Sequence, residues 1–205
     1  MVLVIDYGMG NLGSVKRALE ECGANEVVIS HYEADFDKCT HAILPGVGSF
    51  KDAMQNLHLH NLPARIKKLA LEDKIPFLGI CLGMQLLASL GEEHGNTEGL
   101  GLIPGTVKLF KSIKQERIPH VGWNEIDKQN EHPVFENIPD KSDFYFVHSY
   151  HFVVEEKEDI VATTPYCGNF TSVVGRNNIV GTQFHPEKSS FAGFQLLKNF
   201  LAHNA

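Results

Sequence analysis

The 205-residue sequence lacks features that mark several classes of protein. No apolar run approaches the roughly 20 residues that a membrane-spanning helix needs. Residues 1–7 are apolar but include Asp6 and have neither a basic lead nor a small-residue cleavage site, so we expect a first strand rather than a signal peptide. The sequence also has no internal repeats and no Pro/Gly/Ser-rich linker, and we therefore expect one domain over residues 1–205.

Cysteine and positive charge are both scarce. The four cysteines are widely spaced and form no C-x-x-C pair, which argues against a disulfide scaffold or a thiolate zinc site and favours reduced thiols in the cytoplasm. The 18 Lys and Arg residues are outnumbered by 25 Asp and Glu residues, giving a net charge of −7. A nucleic-acid-binding protein needs a basic face to meet phosphates, so the composition disfavours that class.

Apolar residues in the first half of the chain alternate between two patterns. Runs of strand length are followed by stretches of helical period, which predicts a parallel sheet covered on both faces. The predicted strands are residues 2–7, 26–30, 41–44 and 75–80, and the predicted helices are residues 14–22, a helix starting near residue 61, and residues 82–90.

The pattern changes from about Thr106 onward. Residues 144–154 and 160–163 are predicted strands without intervening helices, and Asn177-Asn178 is a predicted hairpin turn. A last amphipathic helix is predicted at residues 191–201. Together the two halves predict a three-layer, flavodoxin-like α/β fold, with a central, mostly parallel sheet and an antiparallel extension.

The first of two glycine motifs runs from Gly8 to Gly13, between a predicted strand and a predicted helix. Its G-x-G-x-x-G spacing, with Glu33 about 20 residues further on, matches a dinucleotide-binding fingerprint. Short glycine patterns also arise wherever a strand turns sharply into a helix. A dinucleotide site and a tight β–α connection are therefore both compatible with this motif.

The second glycine motif, Gly79-Ile80-Cys81-Leu82-Gly83, has the G-x-nucleophile-x-G pattern of a nucleophile elbow, with cysteine in place of serine. Such a turn crowds the neighbouring Cβ atoms, which explains the flanking glycines. It also places the thiol at the carboxyl end of the sheet and at a helix N-terminus, where the helix dipole favours the thiolate. We interpret Cys81 as a nucleophile.

A cysteine nucleophile needs a base, and the chain has 11 histidines. In His185-Pro186-Glu187, proline restricts the preceding residue to extended geometry, so the acid two residues on projects to the same side as the imidazole. Glu187 can then orient His185 and stabilise its charged form. His132-Pro133 lacks such an acid and is interpreted as a loop residue. No histidine pair has the spacing and third ligand of a metal site, so no metal is expected.

Acyl chemistry also needs donors for a developing oxyanion. The amide of Leu82 follows the nucleophile and is one candidate. The second donor is expected in the loop Pro45-Gly46-Val47-Gly48, from the amide of Val47 or Gly48, because glycines let the backbone N–H turn toward a substrate.

These motifs together resemble the class I glutamine amidotransferases, over essentially the whole chain. Within that class, the sequence is similar to the glutaminase subunits of imidazole glycerol phosphate synthases. The matching strings are residues 6–11 (DYGMGN), 45–48 (PGVG), 119–124 (PHVGWN), 144–150 (FYFVHSY) and 185–189 (HPEKS). The resemblance implies that Cys81, His185 and Glu187 hydrolyse glutamine without a cofactor. It also implies glutamine-binding roles for a further set of residues, namely Gln85, Glu98, Ser149 and Tyr150.

The resemblance further implies a partner that consumes the ammonia, a (β/α)8-barrel cyclase subunit forming a heterodimer with this chain. The residues expected at that interface are Gly8, Gly10, Asn11, Trp123 and Lys188. Gly13 departs from the family, which usually has a larger residue there. A core position for Trp123 remains open, and so do a related amidotransferase serving a different synthase, a dinucleotide-binding module and a non-catalytic scaffold with a vestigial triad.

Overall fold

The computed structural model describes residues 1–203. In chain order, the strands are β1 (Val2–Ile5), β2 (Val27–Ser30), β3 (His41–Gly46), β4 (Phe77–Cys81), β5 (Leu90–Gly91), β6 (Thr97–Glu98), β7 (Gly105–Leu109), β8 (His120–Glu125), β9 (Asp127–Lys128), β10 (Asp143–His148), β11 (Tyr150–Val154), β12 (Ile160–Thr164), β13 (Phe170–Arg176) and β14 (Ile179–Thr182). The α-helices are α1 (Leu12–Glu21), α2 (Glu33–Phe36), α3 (Phe50–Leu59), α4 (Leu62–Lys67), α5 (Leu82–Leu86) and α6 (Ser190–Ala202). Within residues 1–203, none of these helices has the length and apolar character to cross a membrane.

The main sheet has the strand order β2-β1-β3-β4-β14-β13-β11-β7-β5-β6. Its first five strands are parallel to one another, and β13, β11 and β7 continue it in antiparallel fashion. Successive residues of β1 join different cores, since Leu3 and Ile5 belong to one apolar cluster and Val2 and Val4 to the other. Both faces of the sheet are therefore covered, as a parallel sheet requires. The predicted fold class is confirmed.

Residues 144–154 were predicted as one strand, and this prediction is wrong. The segment is divided at Ser149 into β10, which pairs with β8 in a separate two-stranded sheet, and β11, which pairs with β7 and β13 in the main sheet. Both pieces have the apolar alternation of strands, so periodicity could not reveal that the chain changes sheets between them. The small sheet formed by β8 and β10 lies beside the cysteine motif and becomes important below.

Two helix predictions also need correction. The helix expected over residues 82–90 ends at Leu86, and residues 90–91 instead form β5, which lies parallel to β7. Helix α3 was not predicted; it begins after Ser49, whose hydroxyl accepts a hydrogen bond from the Asp52 amide and caps the helix. By contrast, the hairpin predicted at Asn177-Asn178 does connect β13 and β14, and Asn177 has a positive φ of 54°.

Candidate active site

Cys81 lies at the junction of β4 and α5, in a backbone conformation with φ 55° and ψ −110°. A positive φ is unfavourable for any residue with a Cβ, and such strain is retained mainly at functional sites. The glycines on either side are required by close packing. A Cβ on Gly79 would lie 2.8 Å from the carbonyl oxygen of Gly83, and one on Gly83 would overlap the carbonyl oxygen of Leu44. This is the geometry of a nucleophile elbow.

Helix α5, which follows Cys81, contributes less to the electrostatic environment of the sulfur than the sequence suggests. Helix α5 has five residues, and the dipole of a helix grows with the number of aligned peptides. The sulfur's immediate polar neighbours are the Val147 carbonyl oxygen, 4.0 Å away, and Gln183 Nε2, 3.7 Å away. Side-chain and backbone dipoles from other elements therefore act on the thiol alongside the short helix.

His185 and Glu187 form a buried pair directly after β14. His185 Nδ1 is 2.8 Å from Glu187 Oε1, and the two side chains are 3% and 1% exposed. The backbone holds the histidine firmly, because its amide donates to the Tyr145 carbonyl and its own carbonyl accepts from the Ser189 hydroxyl. Burial lowers the pKa of His185, but the influences of Cys81 and Glu187 outweigh it and raise the pKa to about 9.

His185 Nε2 and Glu187 Oε2 are buried and have no hydrogen-bond partner within residues 1–203. Since Nδ1 is committed to Glu187, Nε2 is the nitrogen available to the thiol. A raised histidine pKa beside a cysteine favours the thiolate–imidazolium pair, the form in which a thiol is nucleophilic. The three side chains thus have the arrangement of a nucleophile, a base and an orienting acid.

A cavity of about 320 Å³ opens at the Cys81 sulfur, which suits a small ligand. The residues lining it are Val47, Gly48, Cys81, Leu82, Gln85, Glu93, Val147, His148, Ser149, Tyr150 and His185. These include every predicted oxyanion residue and three of the four predicted glutamine-binding residues. Glu187 is not among them, which fits its position behind the imidazole.

The predicted oxyanion loop begins in the last residues of β3 and continues to the rim of this cavity. The Tyr7 hydroxyl donates to the Pro45 carbonyl at 3.0 Å and anchors the start of the loop. Gly48 has φ 104°, a conformation that favours glycine. A Cβ at Gly48 would lie 2.7 Å from the terminal methyl of Met9, so the loop packs against the first glycine motif.

Glu98, which was predicted as a glutamine ligand, does not line the cavity. It is exposed on β6, the last strand of the sheet, opposite Leu90. Glu93 lines the cavity instead, and its Oε2 accepts a 2.7 Å hydrogen bond from the Phe50 amide. Glu93 was not predicted at the cavity, because a helix continuing to residue 90 hides the turn that brings residue 93 back to the site.

Two further residues at the site were missed. Gln183 is fully buried and close to the sulfur, and His148 lines the cavity. Gln183 had a detectable signal, since it is a large polar residue inside the mostly apolar run at residues 179–184. A buried amide needs partners for its donors and its acceptor, so such a position indicates a specific polar network.

Two groups of residues were predicted at an interface. Trp123 on β8 is 53% exposed, which excludes the core alternative, and its ring is 6.1 Å from that of Tyr145 on β10. Lys188 is exposed, with Nζ 6.0 Å from the Tyr145 ring. In the other group, a Cβ at Gly10 would be 3.7 Å from Gly46, which places the first glycine motif against the oxyanion loop.

The same motif has little in common with a dinucleotide site. The Gly8 amide donates to Asp6, and Asn11 accepts from the Ser14 amide, so side chains of the protein already occupy donors that a pyrophosphate needs. Glu33 is bonded to Arg65 at 3.2 Å. Across the described part of the chain, no cluster of three or more His, Cys, Asp or Glu side chains is arranged to hold a metal ion.

Comparisons with known proteins agree with this geometry. The family model for glutamine amidotransferase class-I matches residues 3–204. Imidazole glycerol phosphate synthase subunit HisH of Moorella thermoacetica is 47% identical over 200 residues, covering 97% of this chain and 93% of its own. The corresponding subunit HisH 2 of Methanococcus maripaludis is 43% identical, with 98% of both chains covered.

Solved structures show the same fold at low sequence identity. A crystal structure described as a glutamine amidotransferase has a TM-score of 0.75 at 17% identity, covering 98% of both chains. A structure of PurLQS from Thermotoga maritima has a TM-score of 0.73 at 20% identity, covering 98% of this chain and 97% of that one.

Proposed function

The chain belongs to the class I glutamine amidotransferase family, and from that premise we propose that Cys81, His185 and Glu187 hydrolyse glutamine to glutamate and ammonia. The chain is the glutaminase subunit of an imidazole glycerol phosphate synthase, as the relatives that match it over nearly their full length support. The observation that carries the residue roles is the strained Cys81 facing a cavity that His185 also lines, with Glu187 buried behind it.

The reaction begins with transfer of the thiol proton of Cys81 to His185 Nε2. The thiolate attacks the side-chain carbonyl carbon of glutamine and forms a tetrahedral intermediate. As that intermediate collapses, the C–N bond breaks and the leaving nitrogen takes the proton from His185, so ammonia departs and a γ-glutamyl thioester remains. Water, deprotonated by His185, then attacks the thioester and releases glutamate and the thiol.

The negative charge on the tetrahedral oxygen requires donors fixed in advance. The amides of Leu82 and of Val47 or Gly48 fill this role, since all three residues line the cavity that holds Cys81. The α-amino group of glutamine is cationic and suits the Glu93 carboxylate. Gln85 and the segment Ser149–Tyr150 line the same cavity and hold the remaining polar groups of the substrate.

Ammonia must reach a second active site, and the shared name of the relatives implies a second subunit. The partner proposed here is a (β/α)8-barrel cyclase, which uses ammonia to make imidazole glycerol phosphate and an aminoimidazole carboxamide ribonucleotide in histidine biosynthesis. Its docking surface includes the exposed side chains of Trp123 and Lys188, the half-buried Tyr145 beside them, and the first glycine motif. Trp and Tyr are enriched among the residues that dominate the binding energy of interfaces.

Glutamate release from glutamine, measured with and without the cyclase and its acceptor, tests this function. We expect hydrolysis that the complex stimulates, and no glutamate in any mixture would refute it. Cys81→Ala should abolish glutamine-dependent synthesis and leave ammonia-dependent synthesis intact. Unchanged use of glutamine by this variant would remove Cys81 from the mechanism.

A further inference from the structure

A run of buried polar groups connects strand β8 to the Cys81 sulfur. It consists of five side chains and the backbone carbonyl of Tyr150, and four of the side chains are at most 6% exposed. In spatial order the side chains are Asn124, His120, His148, Gln85 and Gln183. Buried polar groups are stabilised only when donors meet acceptors throughout, so the proton positions along this run are constrained.

The contacts at the outer end of the run, at Asn124, fix the direction in which its hydrogen bonds are donated. The Glu125 amide can only donate, and it lies 2.9 Å from Asn124 Oδ1. Asn124 Nδ2 is therefore the donor to His120 Nε2, at 3.3 Å. With Nε2 accepting, His120 carries its proton on Nδ1 and donates it to His148 Nε2, at 3.1 Å.

The contacts at the inner end of the run, near Cys81, independently require the same direction of hydrogen-bond donation. The Tyr150 carbonyl can only accept, so His148 Nδ1, 2.8 Å away, must be protonated and His148 Nε2 must be the acceptor. Gln85 Nε2 donates its two protons to that carbonyl at 3.0 Å and to Gln183 Oε1 at 2.9 Å. Gln183 is left with its Nε2 donor directed at the Cys81 sulfur, 3.7 Å away.

We propose that Gln183 is a positioning residue for the nucleophile, directing an N–H donor at the Cys81 thiolate in an orientation set by Gln85 and by the Tyr150 carbonyl, which the run from Asn124 holds in place. This role rests on the proposed glutaminase function, in which Cys81 attacks as a thiolate. A donated hydrogen bond stabilises the charged form of an acid over its neutral form. Gln183 does not line the cavity, so it acts on the sulfur rather than on bound glutamine.

The run requires both histidines to be neutral. A second proton on either ring would place two donors against each other or force Asn124 to release the Glu125 amide. Burial lowers the pKa of His120 to about 4 and is also the main cause that lowers the pKa of His148 to about 3, so both rings are neutral near pH 7. The direction of the run is thus maintained by burial.

Gln183→Met tests the proposal, because methionine keeps the length of the side chain and removes the donor. In the complex with cyclase and acceptor, kcat for glutamine hydrolysis should fall about 10- to 100-fold, the range for a hydrogen bond to a charged group. KM for glutamine should stay within about twofold, since uniform substrate binding is unchanged. Alkylation of Cys81 by 2-chloroacetamide, followed by peptide mass spectrometry, should slow by a similar factor.

Two further variants test whether the rest of the run affects the sulfur. His120→Phe keeps the aromatic stacking on Tyr166 and Phe146 and removes a donor four groups from the sulfur, so it should give a smaller fall in kcat and alkylation rate. His151→Phe is the matched control: its ring stacks on Phe110 outside the run, and activity should be unchanged. If Gln183→Met does not fold, the comparison of His120→Phe with His151→Phe tests the proposal in its place.

Wild-type kcat and alkylation rate in Gln183→Met would overturn the proposal, as would a rise in KM alone or a lower kcat with unchanged alkylation. Equal behaviour of His120→Phe and His151→Phe would overturn the part of the proposal that concerns the run. These outcomes are distinct from failure of the glutaminase function, which a wild-type complex without glutamate release would show.

Discussion

Replacing Glu187 with Gln isolates the charge behind the imidazole. Glu187 Oε1 is 2.8 Å from His185 Nδ1 and the side chain is only 1% exposed, so water screens the pair little. Glutamine keeps the size of the side chain and an oxygen that can accept the Nδ1 proton. It removes the negative charge that, together with Cys81, raises the pKa of His185.

The size of the effect follows from the type of hydrogen bond. A hydrogen bond to a charged group contributes about 1.5–3 kcal/mol, and one between neutral groups about 0.5–1.5 kcal/mol. The difference of about 1–2 kcal/mol predicts a fall in kcat of about 5- to 30-fold for Glu187→Gln. KM should change little, because Glu187 does not line the cavity.

The assay is glutamate release by the complex at saturating glutamine, with ammonia-dependent synthesis as the measure of intact assembly. Glu98→Gln removes an exposed carboxylate on β6 and serves as the matched control. A kcat for Glu187→Gln within about twofold of wild type would show that the imidazole does not depend on this charge, and the assigned role of Glu187 would be abandoned.

Three further predictions concern the cavity, the elbow and the buried histidines. Glu93→Gln should raise KM for glutamine about tenfold or more, because it removes the charge that faces the α-amino group, whereas Glu98→Gln should not; equal KM values would exclude Glu93 as a ligand. Gly83→Ala should lower the free energy of unfolding in urea by at least about 2 kcal/mol through its overlap with Leu44, while Gly13→Ala, with no atom within 4 Å of its Cβ, should be neutral or slightly stabilising. Because the pKa values of His120 and His148 are lowered to about 4 and about 3, the unfolded chain binds more protons than the folded one below about pH 6.5. Stability should therefore fall as the pH drops from about 6.5 toward 4, with a shallower slope for His120→Phe, and a pH-independent free energy of unfolding in urea would contradict this.

The features that the sequence predicted well depend on local rules. The fold class follows from apolar runs of strand length alternating with helical periods. The elbow at Cys81 was predicted because a turn tight enough to place Gly83 against the Leu44 carbonyl leaves glycine at fixed spacing on both sides of Cys81. His185 and Glu187 were paired because an extended X-Pro segment brings positions i and i+2 to one side.

The features that were missed depend on contacts between distant parts of the chain. Glu93 reaches the cavity because α5 ends early and β5 joins the sheet beside β7, which no local pattern indicates. The division of residues 144–154 at Ser149 was hidden for the same reason. Gln183 is hydrogen-bonded to Gln85, which is 98 positions away in the sequence. The residues next to Gln183 in the sequence could therefore not identify this partner.

Strand β10 shows how this chain can change its partner without changing its chemistry. Phe144, Phe146 and His148 face inward and are buried, while Tyr145 is half-buried on the opposite side of the strand, beside the exposed Trp123. Because side chains alternate along a strand, a substitution at Tyr145 alters the surface offered to another protein and leaves the inward set in place. The surface beside Trp123 can therefore vary at Tyr145 without a change in the buried side chains of the same strand.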